Sequence, residues 1–178
     1  MLHQRGLRAA SRGDVVGADT PYQAASISKT VAALAMANAN SLSLDADVAA
    51  YLKRRKIPWG GPDSVKPVTL WRLYGMRAGC NVPGYAGYAA ASSLPDDIQI
   101  LDGTPPANSQ RMRIVPTPGT VRAYSGGGFQ VGGVAMEDAA GKSFPILVAQ
   151  FVLRPLAMRA SGFFQPPDRA GDGLCVRP

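Results

Sequence analysis

Histidine is almost missing from this chain: His3 is the only one in 178 residues, and it sits at the amino end. Chain ends are where order is weakest, so a Ser-His-Asp triad would have to recruit a badly placed imidazole. Any nucleophilic chemistry here needs a different base. Cysteine is scarce too. Cys80 and Cys175 lie far apart with no Cys-x-x-Cys spacing, which argues against a metal site and reads as two unpaired thiols. No stretch of about 18 apolar residues exists, so no transmembrane helix is expected. Residues Met1 to Val16 are basic and lack the apolar centre of a signal peptide. A complete chain would be cytoplasmic by default; for a fragment the location stays unknown.

Acidic residues are outnumbered, 12 against 19 basic, for a formal charge of +7. The only dense basic cluster is Lys53-Arg54-Arg55-Lys56, and no aromatic residues interleave with it to stack on bases. It reads as a solvated face, and no nucleic-acid partner is expected. Hydrophobic residues make up 46 %, enough for a core in a single domain spanning 1–178.

Residues 1–24 read as irregular or weakly extended. Ser26 to Ala39 is the clearest predicted helix, since VAALAMANA is rich in strong helix formers. A short helix follows Asp45 or Asp47 and runs through Tyr51 and Leu52. Residues 58–67 form a Gly- and Pro-containing loop. Thr69 caps an apolar run, Leu70 to Met76, ending near Gly79. Residues 81–118 are rich in Pro, Gly, Ala and Ser and are expected to be an insertion or loop region. Phe129 to Ala139 is predicted helical and closed by Gly141, with another helix from Ser143 to the break at Pro155. The tail, 166–178, is expected to be irregular.

The chemistry centres on Ser26-Ile27-Ser28-Lys29. Positions i and i+3 share a helix face, so the Lys29 amine can approach the Ser26 hydroxyl, while Ser28 lies on another face. A serine hydroxyl is a weak nucleophile until a base takes its proton. A lysine can do so only if burial or nearby positive charge lowers its pKa. The helix N-terminus adds a favourable field and a backbone N–H as an oxyanion donor. Taken alone, the tetrapeptide reads more readily as a capping serine followed by an exposed lysine one turn later. Gly141-Lys142-Ser143 is not a phosphate loop, because that motif needs glycine where Met136 stands. Gly126, Gly127 and Gly128 read as a helix entry that permits close backbone packing.

Five segments in one order change the weight of that motif. Tyr22 to Thr30, with Leu42-Ser43-Leu44-Asp45-Ala46-Asp47-Val48 and Tyr51-Leu52, resembles the nucleophile region of the family uniting class C β-lactamases, related esterases and D-Ala-D-Ala peptidases. Val68-Thr69-Leu70 through Ala78-Gly79, Pro118-Gly119-Thr120, Tyr124-Ser125-Gly126-Gly127-Gly128-Phe129, and Gly141-Lys142 through Met158 are similar to its later segments. The resemblance runs from about Gly17 to Gln165. It implies an α+β, β-lactamase/transpeptidase-like fold with the helical domain largely present and the antiparallel sheet incomplete. It implies a catalytic set of Ser26, Lys29 and Tyr124, with Tyr124 facing the nucleophile and sharing in proton transfer. It implies no metal and no organic cofactor, and a small-molecule substrate: a β-lactam, a short-chain ester or a D-Ala-D-Ala-type peptide.

The sequence also departs from the family. No Lys/His-Thr/Ser-Gly tripeptide follows Tyr124, and that motif's strand supplies the second oxyanion donor in the family. Position 126 is Gly where the family's Tyr-x-Asn version has an amide, Gly75-Met76-Arg77-Ala78-Gly79 replaces the usual Ser-His-Thr-Ala-Gly, and Asn40 replaces a glycine. The alternative expectation is therefore a truncated, non-catalytic remnant that acts as a binding module or has no activity. A homo-oligomer that lends a missing strand is one way such a chain could be completed.

Overall fold

The computed structural model describes residues 7–9, 13–17, 20, 22–56, 66–89 and 92–163. Five α-helices carry the fold: α1 (Ser28–Ala37), α2 (Leu70–Tyr74), α3 (Asp97–Asp102), α4 (Gly126–Ala140) and α5 (Phe144–Val148). Two short strands, β1 (Leu7–Ala9) and β2 (Asp14–Val15), pair antiparallel in the segment read as weakly extended. Among the described residues this is the only sheet, and the rest of the regular structure is helical, as the expectation of a helical part with an incomplete sheet requires. No helix among them is long and apolar enough to cross a membrane. Most of the loop expected at 58–67 and all of the tail at 166–178 lie outside the described residues, as do His3 and Cys175.

α4 is the central element and touches α1, α2, α3 and α5. Its sequence, GGGFQVGGVAMEDAA, holds five glycines, each about 1 kcal/mol worse than alanine in a helix. The sequence places its start at Phe129, but the structure starts it three residues earlier. The reason is packing. A Cβ at Gly127 would lie 2.9 Å from Met112 Cγ and 3.0 Å from Val82 Cβ, and one at Gly128 would lie 3.3 Å from Cys80 Sγ. Without side chains, the first turn of α4 seats directly on residues 80–82 and on Met112.

That underlying layer belongs to the region expected to be an insertion or loop. Cys80 and Ile114 bridge antiparallel, with Asn81 N–H donating to Arg113 O at 3.1 Å and Val115 N–H to Gly79 O at 2.9 Å. α3 stands within the same region. Asp96 caps it by accepting from Gln99 N–H, Gln99 returns the bond to Asp96 N–H, and Gly103 ends it in the left-handed conformation. The core runs from Met36 and Val48 through Leu70, Leu73, Leu101, Met112 and Ile114 to Val131, Met136, Leu147 and Val152. Cys80 is a free, buried thiol within it, and burial pushes its pKa up to about 11.

Other elements are shorter than their sequence patterns. The helix expected after Asp45 or Asp47 is a single 3₁₀ turn, Val48–Ala50, capped by the Asp47 carboxylate accepting from Ala49 N–H at 2.9 Å. α2 ends at Tyr74 with Gly75 as its C-cap, short of Gly79. After α5 the backbone continues as a π-helical stretch, Ala149–Leu153. The basic cluster at 53–56 is not uniformly solvated. Arg55 is 8 % exposed, its Nη2 2.6 Å from Asp102 Oδ1, and Arg54 is bound by Glu137 and Asp138.

One close approach gives a stability test. A Cβ at Gly132 would lie 2.6 Å from Tyr74 Oη and 2.8 Å from two of its ring carbons. The Tyr74 ring is held edge-on against Phe129, with centroids 4.6 Å apart at 84°. Gly132→Ala therefore gains helix propensity but overpacks, for a net loss of about 2 kcal/mol. In a thermal melt the variant should unfold about 5 °C below the parent. An equal or higher midpoint would mean that the Tyr74 contact gives way freely.

Candidate active site

Ser26 lies in a 3₁₀ turn, Ala25–Ile27, that runs straight into α1. The turn is entered through Ala25 at φ 44°, a left-handed conformation that costs a non-glycine residue about 1–2 kcal/mol. That bend turns the chain into the helix, and Ser26 is left exposed at the helix start. The first N–H groups of a helix have no acceptor within it, so they are free to face a developing negative charge.

Lys29 is one turn along. Its Nζ donates to Ser26 Oγ at 3.2 Å. The amine lies 4.9 Å from the centroid of the Tyr124 ring and 5.6 Å from that of Phe129, where ring faces attract an ammonium. Tyr124 comes from 98 residues away, and its hydroxyl donates to Ser26 Oγ at 2.6 Å. Lys29 first, then Ser26, lowers the pKa of the Tyr124 phenol, because both can donate to its oxygen once the phenol proton has left. The three residues read from the sequence as a set thus meet around one oxygen.

Tyr124 is about half exposed, and its backbone is clamped on both sides. Ala123 N–H donates to Met76 O at 2.9 Å. On the other side, Ser125 is 2 % exposed and caps α4: its Oγ accepts from Gly128 N–H at 3.0 Å and donates to Val82 O at 2.8 Å. Gly126 N–H donates to Pro83 O at 2.8 Å and Gly127 N–H to Val82 O at 3.1 Å. Ser125 is a structural support beside Tyr124 that the sequence pattern did not single out. Its signal was a serine directly before a helical run.

A cleft of about 480 Å³ is lined by Ala25, Ser28, Lys29, Gly126, Phe129 and Gln130; it touches Lys29 of the three converging residues, while Ser26 and Tyr124 are not part of its lining. Tyr85, Asp97, Glu137 and Phe144 also line it. Gln130 Nε2 donates to Asp97 Oδ1 at 2.5 Å. Burial, and then the charge of Glu137, raises the pKa of Asp97. Among the described residues no three His, Cys, Asp or Glu side chains stand together as a metal site.

Solved structures that share this fold include a penicillin-binding protein, a hydrolase and a β-lactamase/D-alanine carboxypeptidase. A penicillin-binding protein from Bacillus halodurans is 20 % identical with a TM-score of 0.67, over 91 % of this chain and 49 % of that one. EstCE1, a hydrolase with promiscuous acyltransferase activity, is 23 % identical with a TM-score of 0.66, over 97 % and 46 %. A β-lactamase/D-alanine carboxypeptidase from Yersinia pestis, complexed with citrate, is 21 % identical with a TM-score of 0.61, over 79 % and 40 %. The chain belongs to the Beta-lactamase family, whose model matches residues 2–172. It spans less than half the length of each of these three structures. No curated protein matches it.

Proposed function

We propose that this chain carries the nucleophile site of a serine hydrolase that works through an acyl-enzyme. Ser26 Oγ attacks a carbonyl carbon, and its proton passes to the pair formed by Tyr124 and Lys29. The tetrahedral intermediate collapses by breaking the C–N bond of a lactam or amide, or the C–O bond of an ester. The leaving group takes up the proton, and water later releases the acyl group from Ser26. The observation that carries this reading is the convergence of Lys29 Nζ and Tyr124 Oη on Ser26 Oγ, at 3.2 and 2.6 Å. The substrate is a β-lactam, a short-chain ester or a D-Ala-D-Ala-type peptide. A non-catalytic binding module is the second reading. It is favoured by a departure inside the matched segments: position 126 is Gly, so the amide of a Tyr-x-Asn motif is missing two residues after Tyr124.

Incubation with a fluorescent penicillin and with an activated ester separates the two. Catalysis requires a mass increase equal to the acyl group, on the peptide that contains Ser26. No adduct with either reagent, or an adduct on another residue only, would leave the binding-module reading.

A further inference from the structure

A lysine side chain loses much rotamer entropy on being fixed, and one exposed hydrogen bond does not fully offset that loss. Lys29 Nζ lies 3.2 Å from Ser26 Oγ, at the far end of the N–H···O range. Ser26 is exposed and Lys29 half-buried, so this bond alone does not hold the amine where proton transfer needs it. α4 supplies a second hold. Phe129 stands on the face of α4 that carries Gly126 and Gly133, and all three line the cleft that Lys29 and Ala32 line from α1. With bare backbone before and after it on that face, the ring is what this stretch of α4 presents to the amine. Nζ stands over it, 5.6 Å from the centroid.

The ring is itself held. Tyr74 packs against it nearly at right angles, with 84° between the planes and 4.6 Å between centroids. A fixed ring face attracts an ammonium without using up its N–H donors, so those stay available to Ser26 and Tyr124.

We infer that Phe129 is a positioning residue: its ring face keeps the Lys29 amine beside Ser26 and Tyr124, and so sets how readily the proton leaves Ser26 Oγ. This rests on the acyl-transfer reading above. Phe129 acts through Lys29, not on the substrate. Lys29 is also the largest cause of the lowered Tyr124 pKa, so an amine free to wander returns that phenol toward its ordinary value. The other titratable groups lining the cleft with Lys29 are Tyr85, Asp97 from α3 and Glu137 from α4, and a change at position 129 keeps all three.

The test follows the burst of an activated ester from pH 6 to pH 10 in the parent, in Phe129→Leu, which keeps an apolar side chain without a ring, and in Phe129→Tyr, which keeps the ring face. Phe129→Leu should acylate about fivefold more slowly at pH 7, with its inflection moved to higher pH, and should come to within about twofold of the parent near pH 10. Phe129→Tyr should keep the parental inflection. A fall in Phe129→Leu by one factor at every pH is what lost packing alone would give, and it overturns the role. So does an unchanged rate, or a Phe129→Tyr that behaves like Phe129→Leu. A second readout needs no turnover. The NMR signal of the Lys29 Cε protons should be displaced upfield by ring currents in the parent and in Phe129→Tyr, and should move back downfield in Phe129→Leu. The same signal in all three chains overturns the role. A parent that takes up no label on Ser26 ends the acyl-transfer reading, and the NMR signal then decides by itself whether Phe129 holds the amine.

Discussion

Ser26→Ala is expected to take up no acyl label, and Lys29→Ala to label roughly a thousandfold more slowly than the parent, with its pH profile displaced upward. The first outcome follows from removing the only oxygen on which Lys29 and Tyr124 both converge. The second depends on how the proton leaves that oxygen. The Tyr124 phenol has its pKa lowered by its hydrogen bond with Lys29 before any other cause, and next by that with Ser26. A phenolate accepts a proton and a phenol does not, so acylation should rise with pH as Tyr124 ionises. In the parent this rise comes below the ordinary tyrosine value of about 10. Without the amine the larger of the two causes is gone, and the rise should move toward 10. In Tyr124→Phe it should vanish. The burst of an activated ester, followed by stopped flow between pH 6 and 10, reads both the rate and the inflection. A Lys29→Ala rate within tenfold of the parent, with the inflection in place, would remove lysine from the mechanism.

The two halves of this site were not equally legible. Ser26 and Lys29 are three residues apart on one helical run, and the 3.6-residue repeat alone puts their side chains together. Tyr124 is 98 residues from Ser26, and no local pattern joins them. Only the resemblance of whole segments did so. The start of α4 was misplaced because glycine propensity opposes a helix at 126–128, whereas tertiary packing on Val82, Cys80 and Met112 demands residues without side chains there. α3 hid inside a Pro- and Gly-rich region, although Asp96-x-x-Gln99 followed by Gly103 is a legible start and stop signal. The basic run at 53–56 misled for a different reason. Its acidic partners, Asp102, Glu137 and Asp138, are distant in sequence, so composition showed a charged patch where the fold holds ion pairs.

Asp138→Ala tests that hidden contact and should be the most destabilising of the substitutions considered. The Asp138 side chain is 4 % exposed. It accepts from Lys53 N–H at 2.8 Å, Arg54 N–H at 3.1 Å and Arg54 Nε at 2.5 Å. Arg54 reaches on to Glu137 at 2.6 Å, and Glu137 Oε1 accepts from Phe144 N–H at 2.6 Å. One carboxylate thus fastens the chain beyond the Val48–Ala50 turn to the last turn of α4, next to the start of α5. The Arg54 side chain is 44 % exposed, so the ion pair itself contributes little. The two backbone N–H groups left without an acceptor cost more, for a total of about 3 kcal/mol. For a chain of this size that lowers Tm by about 10 °C at pH 7.

The pH dependence follows with a definite sign. Burial, the largest single influence, raises the Asp138 pKa, but the N–H groups of Arg54 and Lys53 and the Arg54 guanidinium together outweigh it and leave the value lowered. A carboxyl held lower in the folded state than in the unfolded one adds stability above about pH 4, and that stability is lost as pH falls through the folded value. Asp97, whose pKa is raised first by burial and then by Glu137, works in the opposite sense: its contribution is present at low pH and is lost as pH rises through its folded value. Melts of the parent and Asp138→Ala, followed by circular dichroism from pH 7 to pH 3, should therefore converge as the pH falls, because acid removes from the parent what the substitution has already removed. Midpoints within 2 °C of each other at pH 7 would show that the clamp holds nothing that the core does not already hold.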